Sequence, residues 1–206
     1  APPPMRVDPR PPPVPPAPPA MPASPAALLG ASGLACRRGR RLLFQGLGLQ
    51  LAPGSITWLR GRNGSGKTSL LRIMAGLSAP ADGQVLWGGA GGSAALAAAR
   101  QGTLYLGHAN ALKDDLRLVE ALAFLAQLQG LDDATGRATR ALGRLGLASR
   151  ASATVRTLSQ GQRRRGALAR LALDDAPRTW LLDEPYDALD TEAVALLSGL
   201  IEAHAA

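Results

Sequence analysis

The chain has 206 residues, 46% of them hydrophobic, which is enough for one domain with a substantial core. With only 3 Trp, 2 Tyr and 2 Phe, that core falls to Leu, Ala, Val and Ile; a lone cysteine, Cys36, excludes an intrachain disulfide and, beside 2 His, makes no metal-ligand pattern. The net charge of +8 admits polyanionic partners, but the cations are nearly all arginines scattered along the chain, a compositional habit rather than a dedicated nucleic-acid surface.

Residues 1–25 carry 13 prolines and read as an extended or disordered tail, with Met5 and Met21 inside it as alternative starts. The tail has no apolar signal core. No run of about 18 apolar residues occurs anywhere, so no membrane-spanning helix is expected. A transport role would need another polypeptide to supply the pore.

Residues 26–206 read as one domain. Leu28–Cys36, Leu42–Leu51 and Ser55–Leu59 are expected strands, the last two separated by the Pro53-Gly54 turn, and Cys36 reads as a small apolar strand residue. A glycine-rich loop at Gly61–Gly66 leads into a helix through Leu77. After a turn at Pro80–Gly83, short strands are expected at Gln84–Trp87 and Thr103–Leu106. Residues 117–129 and 132–147 read as helices, the first with Leu118, Leu122, Leu125 and Leu128 forming a packed core stripe. Another helix starts near Ser159, a buried strand covers Thr179–Leu182, and Thr191–Ala203 forms the last helix. Strands alternating with helices predict an α/β fold with a mainly parallel core sheet.

Gly61-Arg62-Asn63-Gly64-Ser65-Gly66-Lys67-Thr68, with Ser69 following, matches the phosphate-binding P-loop G-x-x-x-x-G-K-[ST]. Glycines let the backbone close around phosphates with its N–H groups pointing inward, and the following helix adds the positive end of its dipole. Lys67 is expected on the β- and γ-phosphates and Thr68 on Mg²⁺. Thr179-Trp180-Leu181-Leu182-Asp183-Glu184 is an apolar strand ending in two acids, the pattern that delivers carboxylates beside a P-loop. Asp183 is expected to hold Mg²⁺ and Glu184 to act as general base on the attacking water.

Leu158-Ser159-Gln160-Gly161-Gln162 resembles the LSxGQ signature of ABC ATPases, and Ala188-Leu189-Asp190 resembles their D-loop, although Asp187 stands where a small hydroxyl residue is usual. With these motifs in family order, residues 28–204 resemble the ATP-binding subunit of an ABC transporter. The resemblance implies a P-loop cassette with a core mixed sheet and a small helical subdomain at about 110–165. It also implies a head-to-tail dimer. In that dimer Ser159, Gly161 and Gln162 would bind the partner's ATP, and Asp190 would reach across the interface. Arg163–Arg165 then belong to the helix after the signature, as a solvated or phosphate-facing surface.

Tyr105-Leu106-Gly107-His108, the run Leu112-Lys113-Asp114-Asp115-Leu116, and Cys36 through Phe44 resemble the subfamily that serves c-type cytochrome biogenesis. That likeness implies haem export or release of a haem-chaperone complex. It also implies a CcmB-type permease, a peripheral position on the cytoplasmic face of the inner membrane, and no nucleic-acid partner. The alternatives are the ATPase of another ABC transporter or a soluble ABC ATPase acting on nucleic acid. His108 stands where the family usually has a glutamine near the γ-phosphate, which makes it a candidate catalytic residue with Glu184. No upstream aromatic is assigned to adenine. The resemblance further implies a switch histidine on a strand beyond Ala206, with His204 as an exposed helix-end residue.

Overall fold

A computed structural model of the chain describes residues 29–176 and 178–206; the proline-rich tail lies outside the described residues. β1 (Leu29–Arg38) and β2 (Arg41–Leu51) form an antiparallel hairpin, and β3 (Asp82–Trp87) pairs antiparallel on the other side of β1, giving the order β2-β1-β3. β4 (Thr103–Leu106) and β5 (Thr179–Leu182) form a separate parallel pair, registered from Thr103 opposite Thr179 to Leu106 opposite Leu182. The helices are α1 (Lys67–Met74), α2 (Gly92–Gly102), α3 (Leu118–Leu128), α4 (Ala134–Arg144), α5 (Gln160–Leu168) and α6 (Thr191–Ala205).

The inward-facing residues of β1 change phase part-way along the strand. Leu29 and Ala31 face inward, Ser32 and Gly33 are exposed, and Leu34 and Cys36 face inward again. The pairing with β2 shifts at this point, which marks an irregularity of the β-bulge kind. Gly33 has φ +62° and Gly83 φ +78°, and a Cβ at Gly83 would overlap the Gly33 carbonyl, so the crossing of β1 and β3 favours glycine on both sides. Leu29, Leu34, Ile73 and Met74 fill the core between this sheet and α1. Each such side chain contributes roughly 1.5–3 kcal/mol by leaving water.

A second core joins β4 to α3, α4, α5 and α6. Leu118, Ala121, Leu122 and Ala126 form the buried face of α3. The expected leucine stripe holds only in part, because Leu125 is half-buried and Leu128 is 68% exposed. Ten residues of helix carry Leu128 away from the face that Leu118 begins, and alanines fill the inner positions instead. Asp133 caps α4 by accepting from the Gly136 N–H at 3.2 Å. α5 crosses close to α3 at Gly166, where a Cβ would stand 2.8 Å from Leu118 Cδ1.

Four expectations are corrected, and one helix was not foreseen. The sheet is not mainly parallel: among the described residues β1, β2 and β3 pair antiparallel through the β1–β2 hairpin and the β1–β3 crossing, and β4 with β5 is the parallel pair. Ser55–Leu59 is not a strand: among the described residues nothing pairs with it, and Ile56, Trp58 and Leu59 are exposed. A strand exists only through its ladder, so an apolar segment without a partner stays irregular. β5 is only partly buried, with Leu181 alone fully so, because β4 covers one of its two edges. α2 was not foreseen; its Ala-rich sequence favours helix by propensity, without a strong periodic pattern or a side-chain cap. His204 is half-buried rather than exposed. Its ring stacks on Trp180 at 3.7 Å between centroids and 5° between planes, and its Nε2 lies 2.7 Å from the Arg178 carbonyl oxygen.

Candidate active site

The P-loop leaves residues 52–60 as irregular backbone and enters α1 at Lys67. Gly64 and Gly66 have φ of +75° and +103°, conformations that side-chain-bearing residues resist. Gly66 has a second constraint, since a Cβ there would meet Phe44 Cδ1 at 3.1 Å and Leu43 Cβ at 3.2 Å. Phe44 therefore packs under the loop as part of the hairpin. The Lys67 ammonium donates to the Gly61 carbonyl at 2.9 Å and the Arg62 carbonyl at 3.3 Å, which holds the cation inside the curl of the loop.

A cleft of about 350 Å³ opens over this loop. Its lining takes Asn63, Gly64, Gly66, Lys67, Thr68 and Ser69 from the P-loop, Arg38, Arg41 and Leu43 from the β1–β2 hairpin, and Glu184 from the end of β5. The hairpin residues were not foreseen as site residues. The only signal for them was the arginine run Arg37–Arg41 just upstream of the loop.

β5 ends at Leu182 and hands over to Asp183, whose N–H donates to the Leu106 carbonyl at 2.9 Å, continuing the parallel ladder by one residue. Asp183 is 4% exposed, whereas Glu184 next to it is exposed to the cleft. The separation of the two acids comes from the backbone: Glu184 has φ +49°, a left-handed turn that a glutamate adopts only at a cost in strain. Burial, and then the charge of Asp183, push the Tyr105 phenol above its ordinary value.

His108 follows β4 and reaches the same place. Its Nδ1 lies 3.9 Å from Glu184 Oε2 and 3.8 Å from Asp187 Oδ2, with all three side chains largely solvated. Arg164, read from sequence as a solvated or phosphate-facing residue, is 3% exposed and lies behind this group. Its guanidinium donates to four backbone carbonyls: Gly107 at 3.0 Å, His108 at 3.3 Å, Asp183 at 3.2 Å and Glu184 at 2.7 Å. Burial pulls its pKa below the usual value, and Asp187, Asp183 and Glu184 oppose that shift.

Ser159 caps α5. Its hydroxyl oxygen accepts from the Gln162 N–H at 3.2 Å while the Gln162 side-chain oxygen accepts from the Ser159 N–H at 3.0 Å, a reciprocal capping box. The hydroxyl proton stays available at an exposed helix start. A Cβ at Gly161 would stand 3.1 Å from the Ala188 carbonyl oxygen, so the signature and the segment after Glu184 touch within one chain. Asp190 caps α6 by accepting from the Ala193 N–H at 2.8 Å.

Thr68 and Asp183 supply the hard oxygen donors that Mg²⁺ prefers, and Arg164, which feels the charge of Asp183, spends its terminal N–H groups on carbonyls. The donor chemistry fits a magnesium nucleotide. Among the described residues there is no cluster of three or more His, Cys, Asp or Glu side chains that would hold a metal without one.

Residues 44–187 match the family described as ABC transporter. The chain is 46% identical over 180 residues to a cytochrome c biogenesis ATP-binding export protein CcmA of Methylococcus capsulatus, covering 87% of this chain and 86% of the relative. The chain belongs to the CcmA family of ABC transporter ATP-binding proteins. The CcmA of Nitrosomonas europaea is 45% identical, covering 85% of this chain and 82% of the relative. That of Aromatoleum aromaticum is 46% identical, covering 87% and 84%. Among solved structures, an ATP-binding subunit of an ABC transporter superposes with TM-score 0.75 at 23% identity, covering 86% of this chain and 75% of that one. An ABC transporter ATP-binding protein of Pyrococcus furiosus gives TM-score 0.74 at 21% identity, covering 86% and 85%. Both likenesses concern the fold.

Proposed function

We propose that this chain is the ATP-hydrolysing subunit of a membrane transporter of c-type cytochrome biogenesis. The observation that carries the chemistry is a single cleft lined at once by Lys67, Thr68 and Glu184. Lys67 offers its ammonium to the β- and γ-phosphates, and the P-loop N–H groups surround them. Thr68 and Asp183 would hold Mg²⁺, which neutralises charge on the phosphates when bound. Glu184 accepts the proton of the attacking water, and His108, beside the Glu184 carboxylate, orients that water.

Ser159, Gly161 and Gln162 form a phosphate-binding helix start that serves the ATP of a second copy in a head-to-tail dimer, with Asp190 at the interface. Among the described residues no helix is long and apolar enough to cross a membrane, which fits a peripheral subunit. The transport path then belongs to a CcmB-type permease, with this chain on the cytoplasmic face of the inner membrane. The cargo is haem or a haem-chaperone complex.

The test is complementation in a bacterium deleted for its own CcmA, with covalently bound haem in c-type cytochromes measured by peroxidase staining. This chain should restore the stained bands and its Glu184→Gln variant should not. Equal restoration by both would remove ATP hydrolysis from the function.

A further inference from the structure

Among the described residues Arg164 is the one buried cation, and it touches both segments that carry His108 and Glu184. It sits on α5, five residues beyond the Ser159 cap, and its two terminal nitrogens each donate to a pair of carbonyls. One pair, Gly107 and His108, ends the β4 segment; the other, Asp183 and Glu184, ends the β5 segment. The Glu184 carbonyl also accepts from the Asp187 N–H at 3.2 Å, so it closes the turn in which Glu184 takes φ +49°. Nε has no partner, so the four bonds of the fork are the whole of its hydrogen bonding.

We propose that Arg164 is a positioning residue that ties the signature helix to both catalytic segments, setting where Glu184 and His108 stand relative to each other. Only a planar fork spans two carbonyl pairs at once; a lysine ammonium presents its donors from one point. Four carbonyls at the ends of two neighbouring parallel strands have no ladder partner beyond the strand tips. Without Arg164 the two segments lose their common anchor, and the strained Glu184 turn loses its shortest hydrogen bond. Because the same helix begins with Ser159 and Gly161, displacement of its N-terminus reaches Glu184 and His108 through one side chain. This inference rests on the ATPase reading for its effect on turnover, while the clamp itself does not.

The experiment compares the full chain with Arg164→Lys and Arg164→Gln, by hydrogen exchange without nucleotide and by ATP binding and phosphate release. In both variants, amides of residues 106–108 and 183–187 should exchange faster together, while those of 63–68 keep their rates. ATP affinity should hold while kcat falls about 100-fold, the scale of a reacting group displaced by about 1 Å. In a Glu184→Gln background the Arg164→Lys change should lower turnover no further. Unchanged exchange in the two segments, or a kcat loss fully additive with Glu184→Gln, overturns the proposal. If the segments loosen but the unaltered chain releases no phosphate from ATP, the clamp stands and the ATPase reading falls. Should Arg164→Gln fail to fold, the lysine variant carries the same comparison.

Discussion

Nδ1 of His108 lies 3.9 Å from Oε2 of Glu184, the acid that lines the P-loop cleft. The two residues come from the ends of β4 and β5, adjacent parallel strands whose tips Leu106 and Leu182 are in register. An imidazole and a carboxylate so placed can hold one water between them. His108→Ala should lower turnover about tenfold, the value of one well-placed hydrogen bond. His108→Gln should retain most of it, because an amide also both donates and accepts. Steady-state phosphate release checks both, and equal loss in the two variants would assign His108 a role other than hydrogen bonding.

Lys67→Ala should weaken ATP binding by roughly 10–100-fold, because it removes a charge-assisted contact to phosphate. Adenosine, which has no phosphates, should bind the variant and the parent alike. Titration of a fluorescent nucleotide measures the first, and competition by adenosine measures the second.

Gly66→Ala should cost about 1–2 kcal/mol in backbone strain at φ +103° and further stability through the Phe44 contact. Gly143→Ala, at a helical position where a Cβ meets nothing within 4 Å, is the control and should not lower the melting temperature. Thermal melts without nucleotide separate the two.

Ser159 should act on the nucleotide of a second copy. A Lys67→Ala chain and a Ser159→Ala chain, each inactive alone, should form mixed dimers with one intact composite site. Partial recovery of phosphate release on mixing is the expected result. No recovery, with dimers demonstrated by light scattering in ATP, would place Ser159 on its own chain's nucleotide.

The P-loop, the acid pair and the signature were legible because each is local: a few adjacent residues whose types state the chemistry. The strand Thr103–Leu106 and the helix start near Ser159 were legible for the same reason, since both lie in short local segments. Arg164 was not. Its neighbours Arg163 and Arg165 are half-buried on the same helix, and nothing in an Arg-Arg-Arg run says which member faces four carbonyls from distant segments. Arg38 and Arg41 were missed because their hairpin meets the P-loop only in three dimensions. The segment Ser55–Leu59 has a strand's composition, but pairing decides a strand and composition does not state it. His204 looked exposed because its stacking partner, Trp180, lies on a strand remote in sequence.

The most direct measurement is magnesium-dependent phosphate release by the purified chain and by Glu184→Gln, alongside equilibrium binding of ATP to both. Loss of a general base costs about 10²–10⁴ in rate. The variant should therefore bind ATP at least as well as the parent while releasing phosphate at least about 100-fold more slowly. Parent-like release by Glu184→Gln would contradict the account, because the carboxylate lining the cleft would then take no part in hydrolysis.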